Sequence, residues 1–565
     1  MKVTFAIEHS LFGENPHISH FINILLYVLV GFLIFYLFQK WLNNYNIVFP
    51  ALITFLFLAH PLHTEVVDSL KNRDVLLSFL GGLLTLHYVI KYLELNKISN
   101  LIPASAAFTL AFFSKPDVLP FLAIIPIAGY YFSDAPLKKS ALAMVFIFAS
   151  LGLVFLAVNS KLYILGRSSE QILFHENPLF FEKSWLVKIG VSFNSLFYYL
   201  RMLIFPTSLL FYYGYNTIAV ESIFSPVPLI TLLAYAAMGV YAVRNLKKKN
   251  IVAFGIAWYL IHISMFSNLV IPVVGIVAER FAFSASLGFC IVLAYYLLKL
   301  SKSNFENPAA KFSFNSTFLM AAGIFILFFS VKTISRGSDW KNPMTLFQHD
   351  ISDLNNSAKA QETIGTELMK EAGKIKGTPQ SKQLIDQSIA HYKRAVEIFP
   401  GFTIANNNLG TFYSNLYNDC NTALPYFRKA IASDSLSGEA IVNIGLCYTK
   451  LNKTDSAIYM LEKGTKLKTG KFLVAYSTLL ALHFEKGDIE NSKRVLNEAI
   501  RDFPTSEVPN MEMGNQYLAK RDTLEASKYY EAALKIKPDP QLSQFLMNYF
   551  LRKGDQVNAG KFRVN

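Results

Sequence analysis

The stretch Ile47–Ile90, IVFPALITFLFLAHPLHTEVVDSLKNRDVLLSFLGGLLTLHYVI, sets the reading of the whole chain. Its ends are the apolar runs Ile47–Ala59 and Val75–Ile90, and between them stand His60, His63, Glu65, Asp68, Lys71, Arg73 and Asp74. Two histidines, three carboxylates and two cations are thereby placed at the mouth of a membrane. Charged groups that close to hydrocarbon are costly, and their default reading is a polar cavity with a function. The competing reading is a polar loop between helices.

Composition agrees with a membrane. Of 565 residues, 53% are hydrophobic and only 16% charged, with 49 Phe and 29 Tyr to face lipid and its interfaces. The net charge of +14 does not indicate nucleic acid, because the lysines and arginines sit in short loops and in a polar C-terminal third. Three cysteines, Cys290, Cys420 and Cys447, without a CxxC pair, fit neither a disulfide framework nor a zinc site. Met1–Gly13 lacks the basic stretch, apolar core and small-residue site of a signal peptide.

Apolar runs recur at Phe21–Phe38, Ile47–Ala59, Val75–Ile90, Leu101–Phe113, Val118–Phe132, Ala141–Val158, Leu186–Phe211, Val227–Val243, Ile251–Leu269, Phe281–Leu300 and Phe318–Val331. They predict a polytopic helix bundle over 1–335 with about 10–11 membrane segments. The positive-inside rule puts Lys138-Lys139, Arg244 with Lys247–Lys249, and the segment of Lys299, Lys302 and Lys311 in the cytoplasm. Three runs lie between Lys139 and Arg244, so one of them does not cross; Leu186–Phe211, with Lys188, Arg201 and Pro206, is the expected interfacial or re-entrant element. The other ten runs set Met1, His60–Asp74, Asn159–Trp185, Val270–Arg280 and the C-terminal third on the outer face.

After a connector at 336–356, residues 357–565 turn polar and helix-forming, with the ~34-residue period of tetratricopeptide (TPR) repeats. Gly514, Tyr517, Ala526, Tyr530, Ala533 and Pro538 take the small, aromatic, small, large, small and terminating positions of one repeat. Gly445, Tyr448, Ala457, Leu461 and Gly464 form another, and Gly410, Tyr413, Ala423, Phe427 and Ala430 a third, with one extra residue between its helices. Ser492, Leu496, Ala499 and Pro504, and Ser388, Tyr392, Ala395 and Pro400, mark further copies, for about five to six in all. Small residues let the helices approach, aromatics fill between them and prolines end them. The predicted fold is therefore all-α, a transmembrane bundle followed by an α-solenoid whose groove suits a protein or peptide partner. The bland alternative is that the repeats only stiffen or oligomerise the protein.

The polar clusters share the outer face: His60–Asp74, Lys115 with Asp117, Arg167 with Glu170, and Glu279-Arg280. Taken singly, each reads equally as a surface pair or a turn. His60 and His63 three apart with no clear third ligand make a poor zinc site, and no metal or other cofactor is expected. No GxSxG, Walker A or HExxH pattern occurs. An outward polar cavity suits chemistry on a lipid-linked substrate, with cations holding a phosphate leaving group and a carboxylate taking a proton from an acceptor hydroxyl. A transporter is disfavoured, because the charges gather at one face instead of mid-helix.

His60-Pro61-Leu62-His63-Thr64-Glu65 with Arg73-Asp74, then Ser114-Lys115, Tyr199-Leu200 with Pro206, Glu279-Arg280 with Ser286, Gly288 and Phe289, and Asp339-Trp340 with Leu346-Phe347 resemble, in this order, the transmembrane and TPR-containing protein O-mannosyltransferases, in a prokaryotic-type member. The resemblance implies a GT-C fold and a polyprenyl- or dolichyl-phosphate sugar as donor. It implies Ser or Thr hydroxyls of exported proteins as acceptors, and a multi-pass bacterial inner-membrane protein with its repeats in the periplasm. It makes Arg73, Lys115 and Arg280 candidates for donor-phosphate contacts, His60, His63, Glu65 and Glu279 candidates for lining the site, and the TPR groove the place of acceptor recruitment. Pro116 stands where the family has Glu, with Asp117 next. Leu11–Gly13, Pro16, His20 and Asn23 resemble the segment before the family's second spanning helix. The first helix and the acidic outer loop that holds the catalytic base are accordingly expected upstream of Met1, leaving Glu65 and Asp74 as weak candidates within this chain. A non-catalytic membrane scaffold that gathers partners on its repeats is the alternative of a different class.

Overall fold

The computed structural model describes residues 2–162, 174, 176–269, 272–309, 312, 314–467 and 471–562; Arg167, Glu170, Val270 and Lys311 lie outside the described residues. Every described element is a helix, apart from isolated bridges joining Tyr213 to Val277 and Tyr215 to Ile218. The chain divides into two compact units, Met1–Ala360 and Gln361–Asn565.

The first unit runs α1 (Lys2–Phe12), α2 (Pro16–Trp41), α3 (Val48–Ala59), α4 (Thr64–Asp68), α5 (Arg73–Leu95), α6 (Leu101–Ser114), α7 (Pro120–Phe132), α8 (Leu137–Leu162), α9 (Trp185–Ile204), α10 (Pro226–Leu246), α11 (Ile251–Ser264), α12 (Phe283–Lys299), α13 (Ser316–Asp339) and α14 (Pro343–Asp350). Six of these, α2, α5, α8, α10, α12 and α13, are long and apolar enough to cross a membrane. α3 and its continuation Pro61–Asp68, bent by 53°, make a seventh if counted as one broken span. α6, α7 and α11 are shorter apolar helices. The ten expected crossings thus divide into full spans, one broken span and short helices. α9, the run set aside as non-crossing, falls in none of these groups among the described residues. The helices make this a multi-pass membrane protein.

Local rules place the breaks. Pro61 forces His60 out of the helical region, to ψ 122°, and α3 stops there. Pro116 does the same to Lys115, which is extended at φ −159°. Phe57 stacks on Phe79 at 5.8 Å with Phe283 set edge-on, joining α3, α5 and α12 in one core. α11 and α12 touch backbone to backbone, since a Cβ on Gly288 would lie 2.4 Å from the Gly255 carbonyl oxygen. Such close small-residue contact is the usual means of holding helices together in lipid.

In the second unit helices pair in succession: α15 (Ala358–Lys374) with α16 (Pro379–Ile398), α17 (Thr403–Thr411) with α18 (Cys420–Ser433), α19 (Gly438–Lys450) with α20 (Thr454–Thr465), α21 (Leu473–Glu485) with α22 (Ile489–Asp502), α23 (Val508–Ala519) with α24 (Thr523–Ile536), and α25 (Pro540–Arg552) with α26 (Gln556–Lys561). Asp419, Asp488 and Asp522 cap second helices by accepting the N–H three residues on. At Gly410 a Cβ would meet the Phe427 ring at 2.6 Å, so the large residue of the partner helix requires the missing side chain. The extra residue of this repeat appears as a π-helical turn, Phe412–Leu416, continuing α17. The cysteines are free and buried; burial, with Cys420 beside it, pushes the Cys447 thiol up to about 12.

Candidate functional site

Three breaks in the first unit put polar residues at helix starts: Arg73 and Asp74 open α5, Lys115 and Asp117 precede α7, and Glu279 and Arg280 form the 3-10 turn Glu279–Ala282 ahead of α12. That turn has no side-chain cap of its own. Glu65 supplies one from α4, accepting the Arg280 backbone N–H through Oε2 at 2.8 Å and the guanidinium Nη1 through Oε1 at 2.5 Å. The main-chain bond fixes the turn, and the charge-assisted bond fixes the direction of the side chain. Arg280 lies over the Phe281 ring, 4.8 Å from its centroid, and keeps 25% of its side chain open against 8% for Glu65.

Lys115 is the second open cation. Its Nζ sits 3.3 Å from Asp117 and 4.0 Å from Asp74, and Ser78 Oγ donates to its carbonyl at 2.9 Å. Lys115 and Asp74 are 18% and 21% exposed, and Asp117 is within electrostatic reach of Arg280. Lys115, Arg280, Asp74, Asp117 and Glu65 therefore form one partly open group. Two cations beside helix N-termini suit an anion such as a phosphate, and a partly exposed carboxylate nearby, Asp74, suits proton transfer.

Other residues singled out in the sequence are used differently. Arg73 is 0% exposed and does not reach the open group. Its Nε donates to Asn23 Oδ1 at 2.8 Å, Nη2 to the Ser19 carbonyl at 2.8 Å, and Nη1 to Glu8 of α1, with the Phe5 ring 4.2 Å below. Enclosed by α1 and α2, it is held in a buried ion pair apart from the open group. His60 accepts the Leu62 N–H on Nδ1 and so donates from Nε2 to the Leu203 carbonyl at 3.0 Å. At His63, Ser286 Oγ gives its proton to the Phe283 carbonyl at 2.6 Å. His63 Nε2 therefore donates to Ser286 Oγ at 2.9 Å, and Nδ1 accepts from the Tyr27 hydroxyl at 2.7 Å. Both rings are buried with every nitrogen engaged, so they pin the α3 break instead of lining an opening.

Glu279 turns away from Arg280 into a second buried network that sequence reading missed. The Tyr213 hydroxyl donates to its Oε1 at 3.1 Å, while Oε2 is buried without a hydrogen bond. Burial, with the Glu279 charge adding to it, pushes the Tyr213 phenol well above its usual value, so it stays a donor. Arg336 grips Asp350 with Nη1 and Nη2 at 2.7 and 2.9 Å, and Asp350 also accepts the Phe211 N–H at 2.8 Å. An arginine at the end of an apolar run is a signal that the sequence did offer. Asp350, Tyr213 and Glu8 carried none.

The tetratricopeptide repeat family matches residues 438–470 and 510–540, the segments that hold α19 with α20 and α23 with α24. Human protein O-mannosyl-transferase TMTC3 is 24% identical over 450 residues, 73% of this chain and 46% of that protein. The chain is similar to the TMTC protein O-mannosyl-transferases over much of its length. Mouse TMTC1 is 26% identical over 264 residues, covering 45% of this chain and 26% of its own length, and a Caenorhabditis elegans protein O-mannosyl-transferase, F38B6.6, is 25% identical over 379 residues, covering 65% and 50%. The chain spans about half or less of the length of these TMTC relatives. Among solved structures, MamA matches 31% of this chain and 92% of its own, at 23% identity and a TM-score of 0.26.

Proposed function

We propose that this chain is the membrane part, with attached repeats, of a GT-C type glycosyltransferase that moves a sugar, mannose on the resemblance, from a polyprenyl-phosphate carrier to Ser or Thr hydroxyls of exported proteins. The observation that carries the proposal is the open group of Arg280, aimed by Glu65, and Lys115 beside Asp74 and Asp117. The acceptor oxygen bonds to the sugar C1 as the C1–O bond to phosphate breaks. Arg280 and Lys115 stabilise the departing lipid phosphate. The hydroxyl proton passes to a carboxylate, and of the two weak candidates in the sequence Glu65 is committed to Arg280, which leaves Asp74, with Asp117 next to it, for that role. The purified chain in nanodiscs, given polyprenyl-phosphate mannose and a Ser/Thr peptide, is expected to add one hexose to the peptide. Asp74→Asn with Asp117→Asn should slow this by roughly 10²-fold or more. Absence of transfer from both polyprenyl and dolichyl carriers would leave the alternative, a membrane scaffold acting through its repeats.

We also propose that the repeats lie on the outer, periplasmic face of a bacterial inner membrane, an orientation that the distribution of lysines and arginines supports. With the native cysteines buried, a cysteine introduced at the exposed Lys463 should react with a membrane-impermeant maleimide from outside intact cells. Labelling only after lysis would reverse the orientation.

A further inference from the structure

Within the solenoid, a cavity of about 700 Å³ opens between α15 and the π-helical turn that continues α17, over residues of α16. The irregular turn and the cavity coincide. The extra residue of this repeat swings Asn415 and Leu416 into the cavity wall, and Leu416 stays 51% exposed there. A π-turn holds one residue more than regular helix needs, and such turns concentrate where a helix face is put to use.

The wall has three kinds of chemistry in order. Met369, Ile385 and Leu416 make an apolar floor. Asn408 lines the wall beside Tyr392, whose hydroxyl bonds Thr366 Oγ1 at 2.9 Å. Asn415 gives its carbonyl oxygen to Lys450 and Ser414, both at 3.3 Å, which leaves its amide to donate. Seven residues of helix separate these two amides, about 10 Å of rise, or roughly three residues of extended chain. Lys370 and Lys376 are the charged lining residues. Lys376 is exposed, and Lys370, 64% exposed, makes an i,i+3 pair with Glu367, a contact worth little in water.

We propose that this cavity docks an extended acidic segment of a partner protein, which sets one aliphatic or aromatic side chain on the floor, bonds its backbone to Asn408 and Asn415, and places its carboxylates against Lys370 and Lys376. The proposal rests on the reading of the repeats as a recruiting surface and narrows the partner to acidic, apolar-anchored peptides.

The test is fluorescence anisotropy on the whole chain in nanodiscs of uncharged lipid, with three labelled peptides as probes: one rich in Asp and Glu around a central Leu, its Lys-substituted counterpart, and the acidic peptide with Ser for Leu. The acidic Leu peptide should bind, should weaken as salt is raised, and should lose about tenfold or more in affinity when Lys370→Glu and Lys376→Glu are combined, a loss of about 1.4 kcal/mol. Leu416→Ser should weaken it without changing its salt dependence. Equal binding of acidic and basic peptides, or an affinity unmoved by the lysine changes, would overturn the proposal and leave recruitment standing. If none of the three binds, the recruiting role fails with it. Sugar transfer, assayed separately, decides the enzymatic reading.

Discussion

Arg280→Ala is expected to lower sugar transfer by on the order of 10²- to 10³-fold while leaving the protein folded. The separation of the two effects follows from how Glu65 holds this residue. One carboxylate oxygen binds the backbone N–H, which any residue at this position retains, and only the other loses its partner. Because the guanidinium is a quarter open, water replaces part of what Glu65 loses, and the stability cost should stay near the ~1.5–3 kcal/mol of one charge-assisted hydrogen bond. The phosphate has no such substitute. A cation aimed at developing negative charge acts only if its position is fixed beforehand, and the Glu65 bond is what fixes it. Arg280→Lys should restore some activity as a point charge without forked geometry. Glu65→Gln should keep the backbone bond and lose the aim, raising KM for the lipid donor more than it alters melting. Transfer at the native rate in Arg280→Ala would remove Arg280 from the site and, with it, the main support for a phosphate leaving group here.

The sequence located this corner of the molecule because its signals are local. Pro61 and Pro116 break helices by steric rules acting on the preceding residue, so the polar corners at His60–Asp74 and Lys115–Asp117 were legible. The repeats were legible for the same reason: each small–large pair, such as Gly410 with Phe427, recurs at a fixed spacing. What spacing could not tell was which charges face outward. His60 and His63 are satisfied by the Leu203 carbonyl and by Ser286, residues 143 and 223 positions away. Arg73 is met by Glu8, 65 positions upstream, on a helix that is not among those able to span a membrane. The extra residue in the Gly410 repeat was visible as a count, but the form it takes, a π-turn that opens a cavity, depends on packing against the neighbouring pair.

Arg73→Met provides the sharper division between structural and functional charge. Removing this guanidinium leaves Glu8, itself buried, with its charge unpaired, and leaves Asn23 and the Ser19 carbonyl without their donor. Breaking a buried ion pair from one side costs about 3–5 kcal/mol, a large part of the total stability of an ordinary domain. The protein should therefore melt at clearly lower temperature, and proteolysis should reach the α1–α2 connection around Gly13 more readily. The partner change is the decisive one. In Glu8→Leu with Arg73→Met no charge is stranded, and well-packed apolar replacements of buried ion pairs are often neutral or better, so most of the lost stability should return and the two changes should be strongly non-additive. A donor-phosphate contact makes the opposite forecast: Arg73→Met would melt like the native protein, lose binding of the lipid-linked sugar, and gain nothing from Glu8→Leu. Melting within about 1 kcal/mol of native in the single variant would return Arg73 to the site and make α1 a lid over it instead of a part of the bundle.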